Sequence, residues 1–407
     1  MKFETIENVF NITFDNVGTL ALAILLLLLG YKLREKVNFF NRFCIPAPVI
    51  GGLILSLLSL IFWKTGSLSI NLDTSFQSPF MLAFFTTVGL GASFGLLKKG
   101  GKLLIIYWIL NGILGWSQNF IGVGLAKVLG IDPMLGLMSG AVSMVGGHGA
   151  AASFGQSALD AGHTGALVVG LAAATFGLVS GGLAGGPFAK KLIDKYHLTP
   201  SPDNYEIDDT SEVAITKEVT TKGMFGHLAM ITVCMTFGGL VGKAITAITG
   251  LSLPAYIGAM FLAVIVRNVN EKVDFFKGFD GELVGKIGDI CLGVFLSMAL
   301  MSLKLWELAG LAGPMLIILV TQVVFILAYA YFIVFRLLGK NFDAAIMCAG
   351  MIGSGLGATP NAMANMASVT EKFGPSKRAY MIVPIVGAFL IDILTMPGII
   401  WFYNMVL

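Results

Sequence analysis

The stretch MCAGMIGSGLGATPNAMANM, Met347–Met366, decides how this chain is to be read. It is apolar enough to enter a bilayer, yet four glycines, a Thr-Pro pair and two asparagines interrupt it. A lipid-facing helix is not written this way, because an interior glycine costs about 1 kcal/mol and a proline about 3. Backbone freed inside a membrane survives only where protein buries it or where it lines a cavity. A second broken stretch, SGAVSMVGGHGAAASF, occupies Ser139–Phe154, about 210 residues earlier. Two interrupted apolar segments at matching positions of two halves point to the binding site of a secondary transporter.

The surrounding composition agrees. Of 407 residues, 56% are hydrophobic and only 12% charged, where a soluble domain carries about 25% charged residues. This is the composition of a polytopic membrane protein. Cys44, Cys234, Cys291 and Cys348 lie singly, without the spacing of a metal or redox motif. The N-terminus has Glu4, Glu7 and Asp15 against Lys2 and no small-residue cleavage site after its leucine run, so it does not read as a signal peptide.

Apolar runs fall near 17–33, 46–63, 79–97, 103–129, 133–156 and 164–189, and again near 224–249, 254–268, 284–303, 308–335, 343–366 and 380–403. If the broken runs 133–156 and 343–366 each enter and leave on one side, five true spans remain in each half. An odd number of spans makes the halves inverted. With the N-terminus outside, 21 Lys and Arg residues fall on the inner side and 5 on the outer side or its boundary, the bias of cytoplasmic loops. Counting the broken runs as full spans would move Lys190, Lys191 and Lys195 outside. A constant offset of 210 also superposes Phe85 on Phe295, Gly140 on Gly350, Gly147 on Gly357 and Gly177 on Gly387.

The expected fold is therefore an all-α polytopic membrane protein of two inverted-topology repeats, each with five transmembrane helices and one re-entrant hairpin. Residues 1–189 form the first repeat, with its hairpin at about 133–156. Residues 224–407 form the second, with its hairpin at about 343–366. Both termini are expected outside. The polar stretch 190–223, containing SPDNYEIDDTSE, reads as a solvated cytoplasmic linker.

The C-terminal hairpin offers Ser354, Gly355, Gly357, Thr359, Asn361 and Asn365, with no carboxylate or lysine between Asp343 and Glu371. Hydroxyl, amide and carbonyl oxygens suit a weakly held alkali cation, whereas a divalent ion recruits carboxylates. A helix starting at Thr359-Pro360 would aim free N–H groups into the cavity, at an anionic group. The plainer reading is that these small residues let helices pack closely. The N-terminal hairpin offers Ser143, Gly146, Gly147, His148 and Gly149. His148 could hydrogen-bond substrate when neutral, or pair with a carboxylate when protonated; it could equally be a bonded structural residue. Asp392 is an ionisable residue deep in a span and needs a partner there, such as a substrate ammonium, a coupling cation or a neighbouring hydroxyl. Thr175, on the matching span of the first half, could supply a hydroxyl. Gln118 and Asn119 are candidates for interhelical hydrogen bonds. Na⁺ is assigned to Ser143, Gly146, Gly353 and Ser354.

A channel and an intramembrane hydrolase are the competing classes. A channel filter needs rings from several subunits, which an internal duplication does not favour. No HExxH or GxSxG accompanies His148 and Asp392, so an enzyme is not expected. Nothing suggests a nucleic-acid partner.

These stretches together resemble the bacterial sodium/glutamate symporter (glutamate permease) family. The resemblance is carried by PAPVIGGL (Pro46–Leu53), SPFMLAFFTTVGL (Ser78–Leu90), GGHG (Gly146–Gly149) and ATFGLVSGGLAGGP (Ala174–Pro187). It extends through LSMALMSLKLWELA (Leu296–Ala309), GLGATPNAMANM (Gly355–Met366), TEKFGPS (Thr370–Ser376) and VPIVGAFLIDI (Val383–Ile393). The resemblance implies Na⁺-coupled uptake of L-glutamate across the bacterial inner membrane, by a homodimer in the lipid bilayer with two re-entrant loops per protomer. It places both glycine-rich loops at the translocation site, here Gly146–Gly149 and Gly353–Gly357. From the residues alone, another dicarboxylate or amino acid, or H⁺ in place of Na⁺, stays open.

Overall fold

The computed structural model describes residues 2–6, 9–42, 45–93, 95–200, 220–249, 255–308 and 310–407. Most of the expected linker, 201–219, and Cys44 lie outside the described residues. The apolar runs become helices whose ends carry the expected chemistry. Helix α1 (Asn16–Lys36) starts where the Asp15 carboxylate accepts from Gly18 N at 2.9 Å, and it ends on Arg34 and Lys36, which complement the negative end of the helix dipole. A short α2 (Asn38–Arg42) leads to α3 (Ala47–Thr65), which starts at Pro46 and stops at Gly66, held left-handed at φ 62°.

The chain continues through α4 (Gln77–Gly91) and α5 (Gly95–Val128), the latter bent at Gly101. Three short helices follow: α6 (Pro133–Met138), α7 (Ala141–Met144) and α8 (Gly147–Asp160). The first half ends with α9 (Ala166–Tyr196). The second half begins with α10 (Thr221–Thr249), α11 (Ala255–Val273) and α12 (Gly281–Met301). Then come α13 (Ala312–Tyr329), a π-turn and α14 (Phe335–Leu337). A pair, α15 (Phe342–Gly355) and α16 (Thr359–Phe373), precedes α17 (Lys377–Ile385), a π-turn at Val386–Leu390 and α18 (Ile391–Val406). Among the described residues, six helices are long and apolar enough to cross a membrane. The chain is a polytopic, mostly helical protein, at 82% helix.

One feature corrects the all-α expectation. Strands β1 (Lys2–Ile6) and β2 (Val9–Phe14) pair antiparallel, and β2 pairs in parallel with β3 (Leu68–Leu72). VFNITF and LSINL alternate apolar and polar residues at the period of a strand, and both are too short to span a bilayer. The parallel pairing holds the end of α3 beside the start of α1, so the two helices pack antiparallel.

Packing sorts the helices into two bundles that each draw on both halves of the chain. One contains α1, α3, α4, α10, α11 and α12; the other contains α5 to α9 and α13 to α18. The seam between them is apolar. On one flank Ala151, Ala152, Leu171 and Ala174 lie against Ile50, Phe295 and Leu296. On another, Phe154 meets Tyr256 edge-on across the seam at 5.8 Å, and Tyr256 is backed within its own bundle by Phe85, stacked at 4.4 Å.

Candidate functional site

The two broken stretches each fold back on themselves, and in both a side-chain bond ties entry to exit. At the first, Asp132 caps α6 by accepting from Met134 N at 2.9 Å, and its other oxygen lies 2.6 Å from His163 Nδ1, just beyond α8. At the second, the Ser376 hydroxyl donates to the buried Asp343 carboxylate at 2.6 Å, joining the start of α15 to the segment after α16.

The far ends of these pairs meet. Gly147 takes a positive φ of 60°, and a Cβ built there would stand 3.1 Å from the Gly357 carbonyl oxygen. Only glycine supplies both the left-handed backbone and the close approach. Helix α8 starts at this contact and α16 starts two residues beyond it. Neither has a side-chain cap, and neither carries an acid in its first turn. Two sets of unpaired N–H groups, each at the positive end of a helix dipole, therefore lie close together.

Helix α9 provides the bed for the second pair. Gly177, Gly181 and Gly185 recur every fourth residue and form a bare stripe. A Cβ on Gly177 would fall 2.0 Å from the Leu356 carbonyl oxygen, and one on Gly185 would fall 2.1 Å from Asn365 Nδ2. Asn361 and Asn365, both buried, donate across this stripe to the carbonyls of Leu178 at 2.7 Å and Gly181 at 2.9 Å. Asn365 Nδ2 also approaches Ala349 O at 3.3 Å. Their amide nitrogens thus fasten α16 to α9.

The remaining sequence candidates divide by location. His148 Nε2 lies 3.0 Å from Thr175 Oγ1, whose own hydroxyl donates to Leu171 O at 2.9 Å. With the hydroxyl proton used, His148 is the donor through Nε2–H, which leaves Nδ1 as the acceptor of the neutral ring. Ser354 and Thr359 are half-buried and flank Gly387 in the second π-turn, with Thr359 Oγ1 3.1 Å from a Cβ built on that glycine. Ser354 donates to Gly350 O at 3.1 Å, and the buried Ser143 donates to the carbonyls of Met138 and, at 2.8 Å, Gly170. Gly146 packs on Val142 and Ala150 of its own pair, and Gly353 on Asn361 and Ala362 across the second pair. Gly149 faces away from the tips, toward Phe84 and Leu292 of the other bundle.

Gly355 is wedged between Leu114 and Ile326, and its carbonyl accepts from Gln118 Nε2 at 2.8 Å. Asp392 stands apart from the tips. It lines a mostly apolar cavity of about 610 Å³, shared with Val88, Asn268 and Lys272, where α18 faces α4, α10 and α11.

Gln322 escaped the sequence reading, and Gly387 entered it only as the repeat partner of Gly177 and not as a neighbour of Ser354 and Thr359. A single glutamine inside the apolar run of α13 was the available signal for the first. Pro384, three residues before Gly387, was the signal for the irregular turn around the second.

The family model and the similar sequences agree with one another. A family model described as sodium/glutamate symporter matches residues 12–375. The sodium/glutamate symporter of Escherichia coli (strain K12) is 44% identical over 383 residues, covering 93% of this chain and 95% of its own. That of Haemophilus influenzae is 43% identical over 387 residues, covering 94% of this chain and 95% of its own. Among solved structures, a sodium proton antiporter from Methanocaldococcus jannaschii covers 95% of this chain and 97% of its own, at 15% identity and a TM-score of 0.43. The chain belongs to the sodium/glutamate symporter family.

Proposed function

We propose that this chain is a sodium-coupled symporter that carries L-glutamate across the bacterial inner membrane by alternating access, with Na⁺ as the coupling ion. Family membership supports the transported pair and a transporter rather than an enzyme. The observation that carries the site is the meeting of two uncapped helix N-termini at Gly147 and Gly357. Glutamate has two carboxylates, and two dipole ends without a competing acid suit them. Gly147, His148 and Thr175 form the first wall, and Ser354, Gly357, Thr359, Asn361 and Asn365 the second, with Gly149 and Gly355 packed behind the tips. Asp392 makes no hydrogen bond or ion pair among the described residues, and it takes the ammonium group once movement of the bundles brings its cavity against the tips. The hydroxyl protons of Ser143 and Ser354 are given to carbonyls, so their oxygens are left as acceptors for Na⁺ beside Gly146 and Gly353.

The two broken stretches act as re-entrant hairpins of an inverted repeat, 1–189 against 224–407. Their tied ends and the offset of 210 support this. The bundle carrying both hairpins moves as an elevator against the other, which contains α3 and α11 and forms the homodimer scaffold. Both termini face the periplasm and the linker the cytoplasm, a reading that the lysine and arginine bias supports. Uptake of glutamate, aspartate and citrate into proteoliposomes, with and without an inward Na⁺ gradient, tests this. Glutamate accumulation only with the gradient is the expected result. Accumulation driven by H⁺ alone, or a preference for citrate, would overturn it.

A further inference from the structure

Two buried amides lie behind the second hairpin turn: Gln118 on α5 and Gln322 on α13, both 0% exposed. Gln118 Nε2 donates to Gly355 O at 2.8 Å, and Gln322 Nε2 donates to the backbone carbonyl of Gln118 at 2.8 Å. These donations orient both amides, since a flipped amide would set oxygen against oxygen. Each Oε1 is thereby directed elsewhere, and neither has a hydrogen-bond partner. The two glutamines lie one helical turn from Leu114 and Ile326, the side chains that flank Gly355. Asn119, the next residue on α5, turns to the first hairpin, where its Oδ1 accepts from Ala141 N at 2.9 Å and its Nδ2 is unpartnered. The uncommitted atoms of both glutamines are thus acceptors, one on the amide that holds Gly355 and the other on the amide bonded to the backbone of that same glutamine.

We propose that Gln118 and Gln322 hold a sodium ion through their Oε1 atoms, against the C-terminal end of α15 at Gly355. The proposal rests on the sodium-coupled reading above and adds an ion site behind the hairpin turn rather than at its tip. Neutral amide and carbonyl oxygens at the negative end of a helix dipole suit a monovalent hard cation, whereas a divalent ion would recruit carboxylates. Among the described residues no group of His, Cys, Asp and Glu could hold a metal. An ion here ties Gly355 to α5 and α13 and so sets the position of Gly357, the residue that meets Gly147. Sodium would then shape the substrate site without touching substrate.

The competing occupant is a water molecule donating to both oxygens. The test uses the full-length protein purified in choline chloride, with thermal unfolding titrated by NaCl in the absence of glutamate. Gln322→Met removes the oxygen at similar volume, and Gln322→Glu keeps one. The expected result is that the half-stabilising Na⁺ concentration rises at least about tenfold in Gln322→Met and stays within about threefold of wild type, or falls, in Gln322→Glu. An unchanged midpoint in Gln322→Met, or equal loss in both variants, would overturn the site. Should the methionine variant not fold, density maps of the wild type in NaCl and in choline chloride decide. Density between the two Oε1 atoms in sodium alone supports the ion; density in both, or in neither, refutes it. A wild type whose glutamate uptake ignores Na⁺ would instead remove the symport reading itself.

Discussion

Gly177 shows how little room the site leaves. With Leu356 O 2.0 Å from where its Cβ would stand, Gly177→Ala must push the second hairpin off α9, an overpacking cost of about 1–3 kcal/mol. Na⁺-driven uptake should fall to background in that variant. Gly239→Ala on α10 meets nothing within 4 Å and should leave uptake and melting temperature unchanged or slightly raised. Thr175 separates hydroxyl from volume. Thr175→Ser keeps the acceptor for His148 Nε2–H, whereas Thr175→Val leaves a buried donor unpaired at a cost of about 1–3 kcal/mol. Uptake assays and thermal unfolding should therefore rank wild type and serine together, well above valine. Asp392→Asn should raise the half-saturating glutamate concentration at least about tenfold, equivalent to about 1.4 kcal/mol; unchanged affinity and Na⁺ dependence would refute the ammonium assignment. The depth of Asp392 in its span could be read from the sequence, but its facing could not. The π-turn just before it, at Val386–Leu390, changes the angular phase of every residue that follows.

At the scale of elements, the limits of the long helices were legible because hydrophobicity and length are local properties. The hairpin tips were legible because glycine and proline write backbone requirements directly into sequence. Asn361 and Asn365 were ambiguous for the opposite reason. An asparagine beside a glycine turn can hold substrate or a neighbouring carbonyl, and the α9 carbonyls that fasten these two are more than 180 residues away in sequence. The small sheet was missed because its strands are short and only one flank of each is apolar. The ties at the hairpin ends make an element-level prediction. Ser376 both holds Asp343 and caps α17 by accepting from Ala379 N at 3.4 Å, so Ser376→Ala should cost about 1–3 kcal/mol. Hydrogen exchange should quicken at the end of α16 and the start of α17, with α5 and α6 unaffected.

At the scale of the molecule, two bundles share a seam of alanine, leucine and aromatic side chains with few polar bonds across it. Such a seam can be broken and remade at another register without stranding donors or acceptors. Cross-linking separates motion between bundles from motion within one. In a background lacking the native cysteines, residues replacing Phe84 and Gly149 lie on opposite sides of the seam, and a short thiol-specific link there should stop uptake. A link between residues replacing Asp132 and His163 lies within one bundle and should leave uptake largely intact. Equal inhibition by both would argue against movement of one bundle past the other. The glycine stripe of α9 has a thermodynamic counterpart. Its floor is backbone, which has no rotamers to surrender, and the asparagines above it are already immobilised on carbonyls. The ordering entropy that a flexible binding surface gives up on meeting its ligand has here been spent at folding. Calorimetry of glutamate binding at saturating Na⁺ should accordingly show a smaller unfavourable entropy in the wild type than in a variant whose Asn365 has been cut back to alanine.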